Sequence, residues 1–101
     1  MRLIYSPQAR TDLREIKAYI RDNLQNPIAA ENVTQRILKG CALLKDNPLL
    51  GAALSEKVNR ETDIRYLIID HHIAFYKTDK NAVYVIRIRN ARTNYLHIIF
   101  Q

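Results

Sequence analysis

Ile64-Arg65-Tyr66-Leu67-Ile68-Ile69, Ile73-Ala74-Phe75-Tyr76-Lys77 and Val83-Tyr84-Val85-Ile86-Arg87-Ile88-Arg89 are three runs rich in β-branched and aromatic residues. Only Asp70-His71-His72 and Thr78-Asp79-Lys80-Asn81-Ala82 separate them. Such runs with polar punctuation predict an antiparallel meander joined by tight turns. With Asp70-His71 as one turn and Asp79 to Ala82 as the other, Arg65 falls opposite Tyr76, and Tyr76 opposite Val85. Alternation then sorts the side chains. One face carries Ile64, Tyr66, Ile68, Ile73, Phe75, Tyr84, Ile86 and Ile88 and is expected to be the buried one. The other carries Arg65, Leu67, Ala74, Tyr76, Val83, Val85, Arg87 and Arg89, which would put three guanidiniums and a phenol on one exposed surface.

Upstream the period changes from 2 to 3.6. Arg2 to Tyr5 is short and β-prone. Ser6-Pro7 then reads as an N-cap followed by proline at the first helical position, where its missing N–H costs nothing. Ala9, Leu13, Ile16, Ile20 and Leu24 trace one apolar stripe, with Arg10, Arg14, Lys17 and Arg21 on the wet side, so a helix is predicted to run to about Asn23. Asn26-Pro27 repeats the start signal. Ala30, Val33, Ile37, Cys41 and Leu44 continue a second helix to Asp46-Asn47-Pro48. Two helices of similar length joined by a few residues predict an antiparallel hairpin packed on one face of the sheet. Leu49 to Thr62 has no clear period and reads as a connector with one helical turn. The expected class is α+β, with all 101 residues in a single domain.

Composition narrows the function. Apolar residues at 48% and charged residues at 26% are ordinary for a globular chain, and the few glycines and prolines argue against disorder. Uncharged stretches such as Thr93 to Gln101 are far below the roughly 20 apolar residues a membrane span needs. Met1 to Pro7 breaks too early for a signal peptide, so a cytoplasmic location is expected. Cys41 is the sole cysteine, which excludes an internal disulfide and a cysteine-based zinc site. It lies on an apolar stripe and reads as a core side chain. His71-His72 sits in a turn where neighbours point apart and is a poor chelate, so no metal site is expected. Gly40 and Gly51 stand alone, with no glycine-rich loop to cradle a nucleotide cofactor.

The net charge is +6 and the isoelectric point about 9.7. From Lys80 onward there are Lys80, Arg87, Arg89 and Arg92 and no acid, so most of the excess lies in the last quarter of the chain. An anionic partner, nucleic acid or an acidic protein segment, is expected there. Arginine gives phosphate a bidentate fork, and the following Tyr95 and His97 bring groups able to stack on bases or move protons. RNA cleavage at a 2′-hydroxyl needs a base, an acid and cations for the charge developing on phosphorus. Tyr95, His97, Arg65, Arg87, Arg89 and Arg92 include all three. The competing reading is structural: Tyr95 packs over the sheet and His97 caps a strand end. A third is a passive nucleic-acid-binding domain.

Tyr5-Ser6-Pro7, Ala9-Arg10-Thr11-Asp12-Leu13 with Ile16 and Tyr19-Ile20, Asn26-Pro27 with Ala29-Ala30, and Asn47-Pro48-Leu49-Leu50-Gly51 follow one another in an order found elsewhere. Together with the strands around Arg65, Tyr76 and Arg87 to Arg92, the whole chain resembles the RelE/ParE toxins of type II toxin–antitoxin modules. No cofactor is expected from the residues themselves; the resemblance implies a strand, two helices and a three-stranded meander, and a cognate antitoxin, a short acidic or amphipathic chain that wraps the toxin and adds a strand to an open sheet edge. Two branches are implied. ParE-like members block DNA gyrase; RelE-like members cut messenger RNA on the ribosome, using basic residues of the sheet and a C-terminal Tyr or His. The long hairpin with Asn26-Pro27 and Pro48-Gly51 looks ParE-like. ParE-like sequences often place His, then Gly or Ala, then Arg after the last strand, where this chain has Asn90-Ala91-Arg92. For the ribonuclease branch the resemblance points to Arg65 and Arg87 as phosphate-binding cations.

Overall fold

A computed structural model describes residues 1–100. Strand β1 (Arg2–Tyr5) leads into helix α1 (Pro7–Ala18), which widens into a π-helical turn over Tyr19–Asn23. Helix α2 (Pro27–Ala42) ends in a tighter turn, Leu43–Lys45. Then come β2 (Ala52–Ala53), α3 (Leu54–Val58), β3 (Arg65–Ile69), β4 (His72–Thr78), β5 (Ala82–Asn90) and α4 (Tyr95–Ile99). The class is α+β, as the sequence predicts.

Both long helices start where the caps are written. Ser6 Oγ accepts the Ala9 N–H at 3.0 Å, and Asn26 Oδ1 accepts that of Ala29 at 3.1 Å. Each satisfies a donor that the first turn leaves free, and a proline follows each cap. At the hairpin tip the Leu24 N–H reaches back to Tyr19 O at 3.2 Å, and the left-handed Gln25 turns the chain toward α2.

The strands form one sheet in the order β1-β5-β4-β3-β2. The meander has the predicted pairing, Arg65 with Tyr76 and Tyr76 with Val85. Strand β1 adds beside β5 in parallel, Arg2 opposite Ala82 through Tyr5 opposite Val85.

The assignment of faces is different from the one alternation gives. A β-bulge between β4 and β5 leaves Ile86 unpaired, so Phe75 faces Arg87 and Ala74 faces Ile88. Beyond Ile86 every β5 side chain has therefore changed sides. The helical hairpin covers Ala74, Val85 and Ile88, packing Ala9, Ile37 and Cys41 on them. It does not cover Ile73 and Phe75; these lie on the far side with Ile64, where Leu54 and Val58 of α3 and Tyr95 and Ile99 of α4 roof them. Both sides of the sheet are apolar and both are covered. Cys41 is a core residue, and burial pushes its thiol up to about 11.

Candidate functional site

Strand β1 pairs β5 only as far as Val85, which would leave the ladder groups from Ile86 onward open. The start of α1 closes them. Ser6 N–H donates to Val85 O at 2.9 Å and Ser6 Oγ to Ile86 O at 2.8 Å. Less than two turns later, Asp12 Oδ2 accepts the Ile88 N–H at 2.9 Å. Asp12 is only 3% exposed, and a buried carboxylate needs cations. Arg87 supplies a bidentate fork, Nε at 2.8 Å and Nη2 at 2.9 Å, while Arg89 Nη1 stands off at 3.4 Å. The carboxylate raises the Arg87 pKa further above its already high value. These two arginines reach α1 around the free edge of β5 and do not fan out over a sheet face.

Arg65 is elsewhere. By register it shares a face with Tyr76, whereas Arg87 shares one with Phe75, the next residue along β4, so the two guanidiniums leave opposite sides of the sheet. The single basic surface that simple alternation predicts does not form, and the bulge at Ile86 is the reason. Arg65 Nη2 donates to Gly51 O at 2.6 Å and Leu49 O at 3.4 Å. Beside it the fully buried Tyr76 hydroxyl donates to Pro48 O at 2.7 Å and accepts the Gly51 N–H at 3.0 Å. Arg65 and Tyr76 thus fasten the 48–51 segment to the sheet. A side chain at Gly51 would collide with Tyr66 O and the Tyr76 hydroxyl.

Tyr95 and His97 lie on α4, and α4 lies on the far face. The Tyr95 ring sits 5.2 Å from that of Phe75. Its cation is Lys57, whose ammonium stands 5.0 Å from the Tyr66 ring and 5.6 Å from the Tyr95 ring. Contact with the Tyr95 hydroxyl raises the pKa of Lys57. His97 borders a separate cleft of about 530 Å³ with Val58, Arg60 and Phe100, and the Arg60 guanidinium lies 4.2 Å from the Phe100 ring. Of the six candidate residues, the structure gathers Arg87, Arg89 and Arg92 around one end of β5. It puts Arg65 on the opposite side of the sheet from Arg87, and Tyr95 and His97 on α4.

A cleft of about 780 Å³ opens at that end of β5. Ile16 and Ile20 of the first helical segment, Leu24 at the tip and Val33 of α2 form one wall, and Ile88 lies opposite. Arg89, Arg92 and His72 border it. His72 lies on the hairpin side of β4, and burial pushes its pKa below the ordinary value, His71 adding to the effect and Asp70 opposing it. Sequence reasoning passed over Asp12. Its signal was a carboxylate three residues after Ala9 and four before Ile16, on the flank of an otherwise apolar stripe. Lys57 and Arg60 were also passed over, because the connector's short helix carries no period. Among the described residues no group of three or more His, Cys, Asp or Glu side chains converges as a metal site.

A family model described as ParE toxin of type II toxin-antitoxin system, parDE, matches residues 3–95. The chain belongs to the ParE toxin family. Its fold is similar to that of a solved structure, the chromosomal ParDE TA system from P. aeruginosa, with a TM-score of 0.77. That match covers 91% of this chain and 97% of the other at 21% sequence identity. No protein of curated function matches by sequence. The toxin is the toxic component of a type II toxin–antitoxin system, a class in which an antitoxin is the partner. Among the described residues no helix is long and apolar enough to cross a membrane.

Proposed function

We propose that the toxin acts in the cytoplasm as one domain over its full length, arrests growth by inhibiting DNA gyrase, and does so as a binding protein without catalytic residues. One observation carries this reading: the groups that a ribonuclease would need are dispersed, and Arg65, Arg87 and Tyr95 among them are already engaged. Arg87 is forked onto Asp12, Arg65 holds the 48–51 segment from the opposite side of the sheet, and Tyr95 packs on Phe75 with Lys57 as its neighbouring cation. A phenol serving as base would need to lie within hydrogen-bond reach of the attacking hydroxyl, beside cations free to take phosphate. No messenger-RNA cleavage is expected.

The cognate antitoxin is proposed to dock in the 780 Å³ cleft, laying apolar side chains against Ile16, Ile20, Leu24 and Val33. The +6 charge of the toxin suits an acidic chain. Induced expression with parallel readouts of plasmid supercoiling and transcript integrity tests the reading. Loss of gyrase supercoiling with intact transcripts is expected. Cleaved transcripts with unchanged supercoiling would replace it with ribosome-dependent ribonuclease activity.

A further inference from the structure

Arg89 is the least satisfied guanidinium at the cleft. Its side chain is 24% exposed, yet Nε is buried with no partner among the described residues. Among the described residues the sole acceptor it reaches is Asp12 Oδ1 at 3.4 Å, long for a bond between two charges. That oxygen already takes Arg87 Nη2 at 2.9 Å, and its twin takes Arg87 Nε and the Ile88 N–H. One carboxylate thus serves two guanidiniums, and Arg87 has the better geometry. Arg92 borders the same cleft, exposed and without an ion pair among the described residues. Glu15, also on the rim, forms no ion pair with either arginine. A half-buried cation short of acceptors costs free energy that an incoming anion recovers.

From this the geometry points to a carboxylate subsite at Arg89 and Arg92, filled by an Asp or Glu side chain that the antitoxin carries between apolar residues. The inference rests on the antitoxin docking proposed above and adds the chemistry of its anchor. The neighbouring apolar wall selects for a carboxylate flanked by hydrocarbon. A bare polyanion would leave Ile16, Ile20 and Val33 wet. Arg89 would then set partner specificity, because an antitoxin with an uncharged residue at that position leaves the guanidinium short of acceptors in a closed interface.

The probe is 1-naphthaleneacetate, an apolar ring bearing one carboxylate, with 1-naphthaleneacetamide as its neutral counterpart. Titrated into the full chain and followed by NMR, the acid should shift the Arg89 Nε signal and the methyls of Ile16, Ile20 and Val33. It should bind at least about tenfold more tightly than the amide, and Arg89→Gln should erase the difference. Equal binding of acid and amide, or shifts confined to other regions, overturns the subsite. Against the purified cognate antitoxin, Arg89→Gln should lose at least about tenfold in affinity, with Arg89→Lys between it and the wild type. Undiminished affinity overturns the subsite while the antitoxin reading stands. Failure of the wild-type chain to bind the antitoxin overturns that reading, and the probe titration then decides the subsite alone. Arg92→Gln, at an exposed position, gives the same comparison if Arg89→Gln does not fold. An oligonucleotide that displaces the probe in an Arg89-dependent manner would reassign the subsite to phosphate.

Discussion

The two sides of the sheet are both apolar, yet they are roofed by different means. On one side lie helices of 12 and 16 residues, each with a side-chain cap and a proline start. On the other lie two helices of five residues each, neither with a side-chain cap bond. Helices that short do not persist in water by themselves, so packing must hold them. Tyr95 on Phe75, Lys57 between Tyr66 and Tyr95, and Arg60 on Phe100 supply it. The long helices leave an open cleft beside the end of β5. The short ones close their side, and their aromatic and cationic groups are spent on closure. Chemistry-bearing residue types therefore do not mark the proposed binding side here; the open cleft does, with the buried, unpartnered Arg89 Nε beside it.

The comparison breaks most severely at Asp12. Asp12→Ala removes the acceptor for Arg87, Arg89 and the Ile88 N–H together, leaving a buried donor and two cations without it. Loss of one partner from a buried pair costs about 3–5 kcal/mol, and the partial exposure of the arginines sets the expectation near the lower end. The urea midpoint should fall accordingly, with Asp12→Asn losing less. A change under about 1 kcal/mol would show that the ladder does not depend on this carboxylate. Next in size is Tyr76→Phe. It strips Pro48 O and the Gly51 N–H of their partner in a fully buried position, at about 1–3 kcal/mol. Hydrogen exchange should quicken at Gly51 and leave α4 unchanged, since the 48–51 segment and α4 are fastened separately.

Most of the architecture was legible because local chemistry agreed with the global fold. Ser6-Pro7 and Asn26-Pro27 started both helices, and the Asp70-His71 turn set the β3–β4 register. The site was less legible, for two physical reasons. A bulge inside Val83-Tyr84-Val85-Ile86-Arg87-Ile88-Arg89 has no glycine to announce it, and one unpaired residue moves Arg87, Ile88 and Arg89 across the sheet. In addition, Ala74, Tyr76, Val83 and Val85 are as fit for burial as Ile73 and Phe75, so polarity does not say which face takes the long helices. The chain from Tyr95 on, read as a tail, is too short for a helical period to emerge. Of the two readings of Tyr95, catalysis or packing, the packing one matches its position on Phe75.

Tyr95 is where that distinction can be sharpened. Tyr95→Phe keeps the ring on Phe75 and should change stability by less than about 0.5 kcal/mol, with toxicity on induction intact. Tyr95→Ala opens the far face and should cost about 2 kcal/mol in chemical denaturation, at the low end for large-to-small changes because the ring is only half-buried. A nontoxic, fully folded Tyr95→Phe would return the hydroxyl to a chemical role.

The smallest effect expected is a pH dependence from His72, on the cleft side. Its folded pKa lies below the ordinary 6.5, chiefly through burial. Between the unfolded and folded values the unfolded chain binds more protons, so stability rises with pH there. Its contribution is fully present above the unfolded value and is lost as pH falls through the folded one. Because the ring is half-buried, solvent screening keeps the slope shallow. Melting temperature measured from pH 7.5 downward should decline as pH drops below about 6.5, more steeply in the wild type than in His72→Gln. Occupation of the cleft should steepen the decline by burying the ring further, whereas a partner carboxylate placed against His72 would reverse its sign. The direction of that change under saturating 1-naphthaleneacetate therefore reports where the bound anion lies, at Arg89 or at the imidazole.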